Sequence, residues 1–147
     1  MGKGEAFENL LVWQKSMSLV VSIYKMCQEG PLSKDWGLRD QMQRSAVSVP
    51  ANIAEGYERD SRKEYIHYLR IAKGSVGELR CLLRIATRWH YVSEEATQSL
   101  IEESLEVARM LKGLASSLEH RIPKLQLLSG ALLLVPWALH LVPSTSS

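Results

Sequence analysis

Two carboxylates, Glu55 and Glu78, are the residues best placed by type to do acid–base chemistry, one giving and one taking a proton. They have polar company. Ser48, Asn52 and Glu55 follow helical spacing and so form one strip, and Ser75 and Glu78 lie near one another on a later segment. Buried polar clusters of this kind are functional sites only some of the time. No histidine or other catalytic group accompanies the glutamates at a recognisable spacing. The cluster therefore reads as a packing network that fixes helix register, with no catalytic residue assigned.

A second pattern is electrostatic. Arg62, Lys63, Arg70, Lys73, Arg80, Arg84 and Arg88 project within an arc of roughly 100° at helical pitch, and Glu64 and Glu78 fall outside it. The strip is roughly 39 Å long at ~1.5 Å rise per residue. A one-sign basic strip is an electrostatic footprint for a phosphate backbone, and arginine suits bidentate phosphate contact. Two readings stay open: weak nucleic-acid binding, to RNA or DNA, or a strip that is solvated or paired with Glu95, Glu102 and Glu106 of the following segment.

Metal and cofactor chemistry find no pattern. His67, His90, His120 and His140 lack metal-ligand spacing, and Cys27 and Cys81 are far apart. Both cysteines lie in helical patterns and read as small buried hydrophobes of a reduced, cytoplasmic protein. Gly74 and Gly77 are inside a helical pattern, so they form no phosphate loop; close helix approach would compensate for their low helix propensity. Trp13, Trp36, Trp89 and Trp137 read as core or interface residues before stacking platforms, with Trp36 the most exposed. No cofactor is expected.

Four helical elements must position these groups. The first runs from Phe7 to Cys27, with an apolar face at Leu10, Trp13, Met17, Val20, Tyr24 and Cys27 that Val12, Leu19, Val21 and Ile23 widen beyond a single seam. Gly30-Pro31 ends it, and Ser33 or Asp35 can cap the next. That second helix carries Leu38, Met42, Ala46, Val49, Ile53 and Gly56 on one face and Pro50 in its middle, which predicts a kink with polar neighbours serving the freed backbone. Gly56 suits a bend or a close helix contact.

The third helix, Ser61 to Trp89, opens with a capping-box pattern at Ser61 and Glu64. Its seam is Tyr65, Leu69, Ala72, Val76, Leu79, Leu83 and Ala86, and a second flank adds Tyr68, Ile71, Leu82, Ile85 and Trp89. Together the flanks cover roughly 200°, more than the ~100° stripe one core needs. The excess predicts burial against a second copy. The fourth helix, Ser93 to Glu119, is capped by Ser93 and buries Leu100, Leu105, Ala108, Leu111, Ala115 and Leu118. A short link makes it the antiparallel neighbour of the third. The fold class is all-α, an antiparallel up-and-down four-helix bundle over residues 1–120, followed by an apolar extension at 121–147.

The stretch GLRDQMQRSAVSVPANIAEGYERDSRKEYIHYLRIAKGSVGEL, with the opening FENLLVWQKSMSLV, resembles the four helix bundle proteins encoded in intervening sequences of bacterial 23S ribosomal RNA genes. The likeness runs from about Phe7 to Leu118, and the Ser48-to-Gly56 run is its most specific part. The resemblance implies an up-and-down bundle assembled into a ring, often a homopentamer, without enzyme activity. Nucleic-acid association is the role usually suggested for that family. A distant relative, the accessory protein of diversity-generating retroelements, is linked to reverse transcription, so a nucleic-acid enzyme is a further expected partner. The alternative is a structural or protein-interaction module with no nucleic-acid role.

Composition adds boundaries. Net charge is only +2, yet residues 61–91 hold seven basic and two acidic residues and residues 92–119 hold two basic and six acidic. Met1 to Glu8 lacks the apolar region of a signal peptide. Leu125 to Val142 is an uncharged run that just reaches the length of a membrane span, but Pro136 and its polar residues weaken that reading. Packing on the bundle or between subunits is the expectation given most weight, and a membrane partner is not expected; a non-native extension is the other alternative, since Leu-Leu-Leu-Val before Pro-Trp departs from the family's polar ending.

Overall fold

A computed structural model describes residues 6–120; the apolar extension and its three readings lie outside the described residues. The chain opens with a 3-10 turn at Phe7–Asn9 and continues into α1 (Leu11–Cys27). A second 3-10 turn at Pro31–Lys34 leads to α2 (Trp36–Glu58), then α3 (Arg62–Arg88) and α4 (Glu94–His120). Leu10 is extended, at φ −72° and ψ 123°, so the first helix starts four residues later than its periodicity suggests. The Phe7 ring meets Trp13 edge-on at 5.5 Å and the Gln14 amide donates to the Glu8 carbonyl, which folds the opening turn against α1.

Caps fix the other starts. Asp35 Oδ1 accepts from the Leu38 amide at 3.0 Å, Ser61 Oγ from Glu64 at 3.3 Å, and Ser93 Oγ from Ala96 at 3.2 Å. Each satisfies a donor that the first helical turn leaves without a partner. Ser33 instead closes its own turn on the Gly30 carbonyl.

The helices run alternately up and down. Ser48 meets Ser75 while Gly56, further along α2, meets Tyr65 and Tyr68, earlier along α3. Thr87 meets Thr97 and Arg70 meets Glu119, so α3 and α4 are also antiparallel. Sequential helices pack side by side, α1 closes on α4, and α1 and α3 sit at opposite corners. The core is stacked as two apolar clusters. One holds Leu19, Ile23, Met42, Leu79, Leu83 and Leu100; the other holds Val12, Val49, Ile53, Leu69, Val76 and Leu111. Ser16, Ser45 and Ser104 are buried and donate to carbonyls of their own helices, at Trp13, Met42 and Ile101.

The core of α1 falls on the widened part of its apolar face, not on the main stripe. Val12, Ser16, Leu19, Ile23 and Cys27 are buried, whereas Trp13, Met17 and Val20 are half-buried and Tyr24 is exposed. Ser16 interrupts the apolar pattern of the true face, and the richer neighbouring stripe outweighs it in the sequence. On α4, Leu105 is exposed, and Ile101 and Val107 are buried. The second helix and the α3 seam follow the predicted pattern, with Met42, Ala46, Val49, Ile53, Leu69, Ala72, Val76, Leu79, Leu83 and Ala86 all buried.

Helix α2 runs unbroken through Pro50. The carbonyl whose helical donor Pro50 removes is that of Ala46, four residues earlier. The nearby side chains bond elsewhere: Ser45 to Met42, and Asn52 Nδ2 to the Ser48 carbonyl at 2.7 Å and hydroxyl at 2.9 Å. Gly56 marks a close helix contact. A Cβ there would stand 2.7 Å from Tyr68 Cβ and 3.0 Å from Tyr65 Cδ2. Gly74 has open space around it, and a Cβ on Gly77 would meet only Arg80 Nη2, at 4.0 Å. Among the described residues these two glycines serve no close helix approach.

Candidate nucleic-acid interface

The seven basic residues of the strip all lie on α3, beside its core seam. Arg62, Lys63, Arg70, Lys73, Arg84 and Arg88 are exposed and Arg80 is half-buried. The acids of α4 leave most of the strip unneutralised. Glu106 pairs with Lys15 of α1 at 2.9 Å, and Glu102 accepts from Gln98 of its own helix at 3.0 Å. Only Arg70 among the seven is paired within the described residues, with Glu119. Arg80 Nη1 is shielded from solvent and has no hydrogen-bond partner among the described residues. Arg80 thus belongs partly to the bundle wall, while its neighbours on the strip are free for solvent or ligand.

A groove between α3 and α4 is lined by Arg70, Lys73, Lys112, Ser116 and Glu119. Lys112 extends the positive surface across to α4, and Arg109 is exposed one turn before it. The net charge of the fourth segment conceals this, because its two basic and six acidic residues sum to an acidic helix. Helical phase carries the missing signal. Lys112 shares a side of α4 with Glu119, the partner of Arg70, whereas Glu106 points to α1.

The polar cluster divides into two parts. Ser48 Oγ and Ser75 Oγ are 2.8 Å apart and join α2 to α3, with Asn52 donating to Ser48 and Ser75 donating to the Ile71 carbonyl at 3.2 Å. The structure brings Ser48, Asn52 and Ser75 together but leaves Glu55 and Glu78 outside. Glu55 is exposed and is held by Arg59, whose guanidinium also donates to Tyr68 Oη at 3.1 Å. Glu78 is exposed on α3. From the Ser48–Ser75 contact, Glu55 is displaced seven residues along α2 and Glu78 three along α3. In antiparallel helices those displacements run in opposite directions, which sets the two carboxylates about 15 Å apart along the axis. They cannot share a proton or a substrate atom.

The two ends of the bundle differ. Where α3 ends, Trp89 is 69% exposed, not part of a buried flank. Ile71 and Ile85, from the same predicted flank, are 38% and 47% exposed, while Leu82 is buried. Trp36, at the start of α2, is 72% exposed and is covered on one face by the Arg39 guanidinium, 4.3 Å from the ring centroid. Tyr91 donates to Asp35 Oδ2 at 3.0 Å. The Leu38 amide and the Tyr91 hydroxyl hold the Asp35 carboxyl below its ordinary range. The carboxylate in turn pushes the Tyr91 phenol up.

Thiols and imidazoles form no centre. Burial pushes the Cys27 thiol up to about 11, against the opposing charge of Arg39, whereas Cys81 is exposed. No group of three or more His, Cys, Asp or Glu residues among those described could hold a metal. No helix among the described residues is long and apolar enough to cross a membrane.

The model of the 23S rRNA-intervening sequence protein family matches residues 8–113, a span that includes α1 to α3, most of α4 and the whole basic strip. The chain belongs to this family. A solved structure of a protein with unknown function from the S23 ribosomal protein family of Bacteroides thetaiotaomicron is 29% identical and superposes with a TM-score of 0.66. The similarity covers 71% of this chain and 98% of that one. Among curated proteins none matches. The family match ends seven residues before the end of α4, so Arg70 lies inside the matched segment and its partner Glu119 beyond it.

Proposed function

We propose that this member of the 23S rRNA-intervening sequence family is a non-enzymatic, oligomeric four-helix bundle that binds structured RNA or DNA weakly and without sequence preference. The observation that carries the reading is the basic strip of α3, in which Arg70 alone has an acidic partner among the described residues. Backbone phosphates complement such a surface, and their contacts position a nucleic acid without reading its sequence. The axial separation of Glu55 and Glu78 supports a non-enzymatic role. A buried, unreactive Cys27 thiol suits a reduced cytoplasmic protein.

Assembly into a ring follows the same logic. A ring closes through two different patches on each subunit. Exposed apolar groups stand at opposite corners of the bundle, Leu11, Val21 and Tyr24 on α1 and Ile71 on α3. Each subunit of a pentamer would present one strip, and repeated weak contacts multiply.

The test is a fluorescence-anisotropy titration of the assembled full chain with structured RNA and duplex DNA over a salt series, with light scattering to establish assembly. Affinity should fall steeply with salt for both nucleic acids. The triple variant Arg62→Glu, Lys63→Glu, Lys73→Glu should weaken binding to every sequence and lower the salt slope by about one per lost phosphate contact. Two of these substitutions put acids in the first turn of α3, where the helix dipole favours them, so the fold survives the change. A clean monomer removes the ring. An assembled oligomer that binds neither nucleic acid at low salt removes the binding reading and leaves a protein-interaction module, with Lys15, Lys25 and Arg39 the surface to try next if binding persists unchanged in the triple variant.

A further inference from the structure

We propose that Trp89 is a stacking platform for an unpaired nucleotide base, with Arg84 and Arg88 taking the phosphates beside it; this rests on the nucleic-acid reading above and names the form of nucleic acid preferred. The C-terminal end of the basic strip is not purely electrostatic. Cys81, Arg84, Ile85, Arg88 and Trp89 line one open, predominantly apolar recess. Ile85 and Cys81 lie one and two turns behind Trp89 on the same helix and are both exposed. Arg84 and Arg88 are exposed and have no acidic partner among the described residues.

The two exposed tryptophans of this end are not equivalent. Trp36 already has Arg39 over one face. Among the described residues no cation lies over Trp89. Nearby Tyr91 is turned to the Asp35 carboxylate that caps α2. Every base has a π-face, so stacking on tryptophan tolerates any sequence, as the strip does. Bases inside a duplex are already stacked on each other; an unpaired end, bulge or single strand offers the free face this recess can accept.

Arginine beside an aromatic ring also provides the charge complement. A stacked nucleotide carries a phosphate on each side of its sugar, and Arg84 and Arg88 stand one turn apart, bracketing Ile85 on the approach to Trp89. The strip then continues to Arg62 as a track for the adjoining duplex.

The experiment compares a blunt duplex with the same duplex bearing a five-nucleotide unpaired overhang, in RNA and in DNA, against the full chain and its Trp89→Ala and Trp89→Phe variants. The overhang should raise wild-type affinity roughly 5- to 150-fold. Trp89→Ala should lose that gain while binding the blunt duplex as before, and Trp89→Phe should retain part of it. Equal wild-type affinity for blunt and overhanging duplexes overturns the inference but leaves the proposed function standing. So does a preference that survives in Trp89→Ala. A change in the light-scattering mass of Trp89→Ala overturns it too, by assigning the recess to a second copy of the chain. Failure of the wild type to bind any of the four nucleic acids removes the proposed function itself.

Discussion

Asn52 and Glu55 stand three residues apart on α2 and differ in what their loss would remove. The Asn52 amide is half-buried and gives hydrogen bonds to both the carbonyl and the hydroxyl of Ser48. Asn52→Ala should lower unfolding free energy by ~1 kcal/mol, the usual net value of such bonds. Glu55 is exposed and paired with Arg59 on the surface, so Glu55→Ala should scarcely change a denaturant midpoint, because exposed ion pairs gain little over water. Equal losses from the two variants would contradict the division of the polar cluster. Asp35 makes a separate prediction about pH. Its folded carboxyl titrates below the ordinary range, first through the Leu38 amide and then through Tyr91. The stabilisation is complete above the ordinary aspartate value of about 3.9 and disappears as pH falls through the lower folded value. Asp35→Asn should therefore flatten the decline of melting temperature on the acid side of pH 4, leaving the neutral side parallel to wild type.

At the scale of the helix, glycines with similar sequence settings have opposite packing. Gly56→Ala would drive a methyl into Tyr68 and Tyr65, both fixed by the α2–α3 contact, and should destabilise by ~1–3 kcal/mol. Gly74→Ala enters open space and should stabilise by ~0.5–1 kcal/mol through helix propensity. Urea unfolding of the two variants decides both signs. The sequence distinguishes these positions poorly, because apolar periodicity reports phase around an axis and is silent on the distance to a neighbouring helix. Periodicity does locate α2 through Pro50, since Met42, Ala46, Val49 and Ile53 keep their phase on both sides of it. It also locates the α3 seam. On α1 it finds Val12, Leu19, Ile23 and Cys27 but centres the face on the wrong stripe, because a buried Ser16 looks polar on paper and is satisfied by the Trp13 carbonyl. The basic strip was legible for the same reason that the seam was: one long helix fixes both phases. The contribution of Lys112 was not legible, since it depends on how α4 is rotated against α3.

For the whole molecule, the distribution of charge matters more than its total. Arg62 and Lys63 occupy the first turn of α3, where the helix dipole disfavours cations, and their retention there extends the positive surface to the bundle's end. The apolar surplus is similarly distributed, with Ile71 at one corner and Val21 and Tyr24 at the opposite one. The division of the core has a different consequence, for breathing motions. Apolar contacts concentrate in two clusters stacked along the axis, so the bundle is built as two cooperative units sharing four continuous backbones. Such units open with their own free energies, which amide hydrogen exchange resolves. Leu83→Ala should accelerate exchange around Ile23, Met42 and Leu100, while amides around Val76 and Leu111 keep most of their protection. Uniform acceleration from end to end would mean that the two clusters open as one unit.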